Sequence, residues 1–274
     1  MHNKKLIILG SKGMLGQMVK SYFTTKGFQI IEFNTRFTEN NFNEYLNELN
    51  SFEDSFVINC IGRIKQKSEE SSDLLWANSI LPLALARFLK SSHILIHPST
   101  DCVFDGLTDK PYNFSDFHSA SDVYGWSKSL GETAVNNMAN SLIVRVSIIG
   151  PDNNSNKGLL SWFLNSKPGS ILNGYTNHFW NGITTLEWCI KIHEIIIDET
   201  ILNQLMKQGL IQLGTKKAYT KYEMLNLFNK IFQKDFEIKP MESKYTNRCL
   251  LSLIESKPLE NQLNELKLFQ LLKK

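Results

Sequence analysis

Tyr124 and Lys128 stand four residues apart in Tyr124-Gly125-Trp126-Ser127-Lys128. On a helix, that spacing puts a phenol and an ammonium on one face, within reach of each other. A free phenol titrates near pH 10, roughly three units above neutrality, and exchanges protons poorly there. A neighbouring ammonium stabilises the phenolate, so the pair can pass a proton to or from a carbonyl oxygen. Upstream lies His97-Pro98-Ser99-Thr100-Asp101-Cys102-Val103-Phe104-Asp105-Gly106. A hydroxyl from Ser99 or Thr100 could bond the same oxygen that Tyr124 protonates. The plainer alternative is a Ser/Thr cap with Asp101 as a turn residue.

A second constellation is Gly10-Ser11-Lys12-Gly13-Met14-Leu15-Gly16, between an apolar run and a helical pattern. The first glycine permits a tight turn, the second lets backbone approach a pyrophosphate, and the third lets helix and strand pack closely. The helix N-terminus then offers unpaired N–H groups and a partial positive charge to phosphates. The expected ligand is a nicotinamide dinucleotide. Its ribose recognition point falls after Glu32-Phe33, where Asn34 is placed, with Arg36 able to pair with a 2′-phosphate. That favours NADPH. A two-residue shift would put Glu32 there and favour NADH, and Arg36 would then be a solvated surface charge.

These residues need a frame. Leu6–Leu9, Phe28–Phe33, Ser55–Cys60, His93–His97 and Ser141–Val146 read as strands. Helical patterns lie between them, over Met14–Phe23, Phe42–Leu49, Ser72–Leu89 and Tyr124–Met138. The class expected is α/β: a Rossmann-type, doubly wound parallel sheet with helices on both faces. Strand runs that are apolar throughout fit a sheet covered on both sides. After about Gly150 the rhythm changes to a polar loop over 152–157, short helices and the single strand Leu210–Leu213. The expected division is therefore 1–150 as the dinucleotide domain and 151–274 as a smaller α/β substrate lobe, interleaved with the first.

The bulk numbers narrow the partners. A net charge of +3 with scattered lysines is too mild for nucleic-acid binding. No run approaches the roughly 20 apolar residues of a membrane helix, and the N-terminal run is too short for a signal peptide. Cys60, Cys102, Cys189 and Cys249 lack CxxC spacing, which favours free thiols in a cytoplasmic protein. The histidines show no ligand spacing, so no metal site is expected.

The glycine loop, the Ser-Thr-Asp-Cys-Val-Phe-Asp-Gly stretch (99–106) and Tyr-Gly-Trp-Ser-Lys followed by Leu-Gly-Glu together resemble the extended short-chain dehydrogenase/reductases. Among these, the sequence is most similar to dTDP-4-dehydrorhamnose reductases and related nucleotide-sugar 4-ketoreductases. The similarity spans residues 5–150 and continues more weakly through 181–185 and 209–232. It implies Thr100, Tyr124 and Lys128 as catalytic residues, with Asn78 supporting the lysine and a proton-relay water. It implies cofactor contacts from Gly10, Lys12, Gly13, Met14, Leu15, Gly16, Asn34, Arg36, Cys60, Ile61, Gly62 and Ser99, besides Tyr124 and Lys128. It implies substrate contacts from Asp101, Cys102, Phe104 and Tyr124. In the second half, Trp180 with Asn181 sits in a mouth segment where a ligand contact and a core position are equally open, and Arg248 could hold a pyrophosphate or a sugar hydroxyl. Arg248 could equally sit in a plain surface loop, and Arg145 could be an ion-pair residue or a site residue.

Three positions depart from that family. Cys102 replaces a common tyrosine. Met18 stands where some members carry a glutamate that helps hold a dimer-bridging metal, which leaves a homodimer open but not through that metal. Ile61-Gly62-Arg63-Ile64-Lys65-Gln66 replaces a small-residue loop. The activity implied is NADPH-dependent reduction of a 4-keto-6-deoxy nucleotide sugar, in deoxysugar biosynthesis for surface polysaccharide. The alternatives are an epimerase or dehydratase that retains NAD, or a non-catalytic NADP-binding regulatory subunit. Dehydratases of this type carry an Asp-Glu pair after the threonine, and Asp101-Cys102 lacks the glutamate.

Overall fold

A computed structural model describes residues 5–64, 70–136, 138–152 and 157–272. Lys65 and Gln66 of the third-strand loop, Asn137 of the fourth expected helix and residues 153–156 of the polar loop lie outside the described residues. The strands, in chain order, are β1 (Lys5–Leu9), β2 (Gln29–Phe33), β3 (Phe56–Asn59), β4 (Ile94–Ser99), β5 (Ser141–Val146), β6 (Ile148–Ile149), β7 (Ile171–Tyr175), β8 (His178–Trp180), β9 (Ile183–Thr184), β10 (Leu210–Gly214), β11 (Tyr219–Thr220), β12 (Glu237–Met241), β13 (Thr246–Asn247) and β14 (Ile254–Glu255). The helices are α1 (Met14–Thr25), α2 (Phe42–Ser51), α3 (Ser71–Leu75), α4 (Leu81–Phe88), α5 (Val123–Val135), α6 (Leu159–Leu164), α7 (Thr185–Ile197), α8 (Glu199–Gln208), α9 (Lys221–Phe232) and α10 (Leu259–Leu271).

Seven strands form one sheet in the order β14-β10-β5-β4-β3-β1-β2. Every pairing within it is parallel. Alternate residues of each strand face opposite sides, and both sides are apolar. Ile7, Leu9, Val57, Leu95 and Ile143 meet α2, α4 and α5 through Tyr45, Leu49, Leu85 and Val135. Leu6, Ile8, Ile96, Leu142 and Val144 meet α1 and α7 through Val19, Phe23, Trp188 and Ile192. The Rossmann-type doubly wound sheet with helices on both faces is the observed architecture.

The chain reverses its direction of travel after β2, because β3 pairs on the other side of β1. The crevice this opens at the strand carboxyl ends is where open α/β sheets bind ligands. Helix α1 enters it from Gly13. At its far end Gly27 takes φ +76°, and Phe28 N–H bonds back to Phe23 O, closing the helix in a left-handed cap.

The helix expected over 72–89 is three segments. A π-helical turn, Trp76–Ile80, separates α3 from α4. Pro82 has no N–H to offer the Asn78 carbonyl, so the ladder opens and Leu81 N–H reaches back to Trp76 O instead.

The second half does not stand apart from the sheet. Strand β10, which the sequence leaves without a partner, pairs with β5 and carries β14 on its other edge. The remaining short strands form three small sheets: β11-β8-β13, β12-β7 and β6-β9.

Candidate active site

Gly10 takes φ +75° at the end of β1, and a Cβ on Gly16 would lie 2.3 Å from Gly10 O. Both positions therefore require glycine, one for conformation and one for contact. Gly16 packs the helix onto the strand. Gly13 caps α1 and borders the crevice.

Two adjoining cavities occupy that crevice, of about 250 and 370 Å³. Gly13, Ile61 and Arg63 border both, so they form one trough. Its first half is lined by Gly10, Lys12, Asn34 and Arg36, with Trp76 and Ala77 opposite. Asn34 thus stands at the β2 end. Glu32 lies 2.5 Å from Lys20 Nζ and accepts from Ser11 Oγ at 2.5 Å. Those hydrogen bonds, the one from Lys20 foremost, hold the Glu32 carboxyl below the usual carboxylate range. Arg36 is 74% exposed and reaches Asp73 only at 3.8 Å.

The second half brings Met14, Leu15, Cys60, Ile61 and Gly62 together with Ser99, Thr100, Asp101, Cys102, Tyr124 and Lys128. Helix α5 holds the last two. It begins at Asp122, whose carboxylate accepts Gly125 N–H at 2.8 Å. A Cβ at position 125 would sit 2.2 Å from Cys102 O, so glycine there lets α5 press against the Thr100–Cys102 turn. Thr100 caps that turn, accepting Cys102 N–H at 3.2 Å and donating to Asp101 Oδ1 at 3.1 Å.

Burial pushes the Tyr124 phenol well above its ordinary value, and nearby Cys102 and Asp101 add to this; a hydrogen bond with Thr100 opposes it. Burial also pulls Lys128 down, from 10.5 to about 8, against the pull of Glu132. Its ammonium donates to Pro98 O at 2.8 Å, which fixes it under the end of β4. Phenol, threonine hydroxyl and ammonium therefore border one cavity beside the glycine loop. Asp101 is buried, and loss of water raises its carboxyl while Arg248 opposes.

Several residues expected to touch substrate lie off the trough lining. Phe104 does not face the trough: it is fully buried, stacked on Tyr112 at 4.0 Å under the Arg145 guanidinium. Trp180 is 4% exposed and lines neither cavity; its indole donates to Ser147 Oγ at 2.8 Å. Asn181 uses its amide on backbone, accepting Leu250 N–H and donating to Leu250 O and Thr215 O. Arg248 is half-buried, donates to Phe104 O and Asp105 O, and lies 3.6 Å from Cys102 Sγ. None of the four lines the trough, but Trp180 and Arg248 hold the wall residues Ser147 and Cys102 from behind. The hydrogen bonds of Asn78 run to Arg63 and Ser127, whereas Lys128 is held by Pro98 O. Arg145 resolves as an ion-pair residue, buried against Glu132 with Gln212 and His118 around it.

Sequence reasoning missed Arg63, Asp73 and the stretch Ser147–Gly150 with Asp152. The last had a usable signal, since it follows the carboxyl end of β5, where the same rule that marked Thr100 applies. Arg63 lay in a stretch read only as a departure.

The parallel sheet, its switch-point crevice and the tyrosine–lysine helix beside a threonine are the features on which the resemblance to the extended short-chain dehydrogenase/reductases rests. A family model described as the RmlD substrate binding domain matches residues 4–167, and the chain belongs to that family. Among solved structures, it is similar to a dTDP-4-dehydrorhamnose reductase from Clostridium acetobutylicum, at 20% identity and TM-score 0.81, covering 98% of this chain and 100% of that one. The corresponding reductase of Bacillus anthracis, solved in complex with NADP, gives 15% identity and TM-score 0.80 over 98% and 99%. A UDP-N-acetylglucosamine 4-epimerase from Bacillus cereus gives 20% and 0.74 over 97% and 96%. At these identities the likeness is one of fold. No curated protein sequence is significantly similar to the chain.

Proposed function

We propose that this chain is an NADPH-dependent reductase of a 4-keto-6-deoxy nucleotide sugar, acting in the cytoplasm in deoxysugar synthesis for surface polysaccharide. The observation that carries this reading is the meeting of Thr100, Tyr124 and Lys128 on one cavity wall with the glycine-loop residues opposite. The residues fit a dinucleotide: a helix N-terminus at Gly13, a trough in two halves, and Asn34 with Arg36 at the ribose end, where Asp73 also lines the trough. NADPH, when bound, supplies the hydride. Tyr124 holds the proton for the sugar oxygen, Thr100 orients that oxygen, and the Lys128 ammonium lowers the cost of leaving a phenolate. Residues 151–274 serve as the substrate lobe in this reading, supplying the trough wall at Asp152, Gly158 and Leu159.

The test is NADPH oxidation against 4-keto-6-deoxy sugars carried on dTDP, UDP and GDP. Stoichiometric consumption with at least one of them is expected. Tyr124→Phe should lower turnover by about a hundredfold to ten-thousandfold. Conversion of a nucleotide sugar with no net NADPH use would replace this reading with an epimerase or dehydratase.

A further inference from the structure

Arg63 borders both halves of the trough, and among the described residues only Gly13 and Ile61 share that position. Gly13 caps α1, so the junction also faces the unpaired N–H groups of that helix. The backbone of Arg63 is held at both of its polar groups. Asn78 Oδ1 accepts its N–H at 2.9 Å, and Asn78 Nδ2 donates to its carbonyl at 2.9 Å. The same Nδ2 donates to Ser127 Oγ at 3.0 Å, and Ser127 donates to Tyr124 O at 2.8 Å. Asn78 is 1% exposed, so this clamp is shielded from water. The arginine is thus tied to the helix that carries Tyr124 and Lys128.

We infer that Arg63 is a binding residue for the pyrophosphate of the dinucleotide, closing on it from the β3 side opposite the α1 N-terminus. This rests on the dinucleotide reading above. A ligand running from Asn34 to Tyr124 must cross the junction, and its pyrophosphate is the part that lies between its two nucleosides. A guanidinium matches two phosphate oxygens with parallel N–H bonds, which a small residue at this position could not supply. A 2′-phosphate would sit in the Asn34–Arg36 half alone, and a sugar substrate in the Tyr124 half alone. Residence in both halves favours the group between them.

The experiment measures dissociation constants by calorimetry for NADPH, NADH, ADP-ribose and 2′-AMP on the full chain, as wild type, Arg63→Ala and Arg63→Lys. Melting temperatures establish that each variant is folded. Arg63→Ala should weaken NADPH, NADH and ADP-ribose by one common factor, about tenfold to a hundredfold, and leave 2′-AMP unchanged. Arg63→Lys should keep part of the loss, because charge remains and the fork does not. A loss confined to NADPH and 2′-AMP overturns the inference in favour of 2′-phosphate recognition. Unchanged dinucleotide binding with a raised KM for the sugar overturns it in favour of a substrate contact. Wild-type protein that binds none of the four would instead remove the dinucleotide reading itself.

Discussion

An ammonium taken out of water weakens a fold unless its partners make up the loss. Lys128 is 6% exposed and donates one hydrogen bond, to Pro98 O. Its fall from 10.5 to about 8 corresponds to about 3 kcal/mol. The folded chain must hold the buried charge below about pH 8, while the unfolded lysine stays charged to its ordinary value. Stability from this group therefore rises as pH climbs from about 8 toward 10.5. Lys128→Met should stabilise the protein at pH 7 by about 1–2 kcal/mol, after about 1 for the lost hydrogen bond, and should abolish turnover. Urea unfolding at pH 7 checks this, and unchanged stability would count against a buried ammonium. Dinucleotide affinity should also fall as pH rises through about 8, a slope that Lys128→Met removes. The Tyr124/Lys128 pair was legible because four-residue spacing is a local property. Phe104, Trp180 and Asn181 were not, because what packs on them is distant in sequence: Arg145, Ser147 and Leu250.

Helix α5 has to keep its register against β4 and β5 for that pair to meet the cavity. One turn beyond Lys128, Glu132 performs this service. Its carboxylate is 4% exposed and meets Arg145 of β5, Ser99 of β4 and His118. Arg145 in turn donates to Gln212 of β10 at 2.8 Å, so one network reaches from α5 across three neighbouring strands. Burial alone would raise the Glu132 carboxyl, but hydrogen bonds from His118 and Arg145 overcome that and hold it at about 2. Its stabilisation is present above its ordinary value of 4.5 and is lost as pH falls toward about 2. Glu132→Gln leaves Arg145 buried beside a neutral amide, and should cost about 3 kcal/mol at pH 7. In urea unfolding followed from pH 7 to 2.5, wild type and variant should converge at the acid end. A constant difference across that range would mean the carboxylate charge contributes nothing. The elements themselves were readable from apolar runs and glycine stops, and α1, α2 and β1–β5 lie where those signals put them. The π-helical turn was not, although Pro82 marks it. A proline inside a helical pattern predicts a break, and only the packing of Asn78 against α5 turns the break into a widened turn.

At the scale of the whole molecule, the two halves of the chain share one sheet and one core. Strand β10 is buried along its length between β5 and β14, and α7 packs on α1 with Trp188, Ile192, Ile195 and Ile196 each under 5% exposed. His193 lies edge-on to Tyr22, Phe23 and Phe28 from the first half. The sequence showed β10 as an apolar run but could not show its neighbour, since parallel pairing leaves no mark on the intervening chain. The four α7 side chains alone are worth about 6–12 kcal/mol at about 1.5–3 each, comparable with the whole stability of about 5–15 kcal/mol typical of a domain. Residues 1–150 expressed alone would keep the glycine loop and the Tyr124 helix, yet would expose the free edge of β5 and the apolar face of α1. That fragment should therefore fail to fold cooperatively, showing no sigmoidal urea transition and no dinucleotide binding. The full chain should unfold in a single transition, with near-ultraviolet and far-ultraviolet dichroism changing together. Two separated transitions would mean that β10 and α7 dock onto a first half already stable without them, and the face carrying Thr100, Tyr124 and Lys128 would then be a property of residues 1–150 alone.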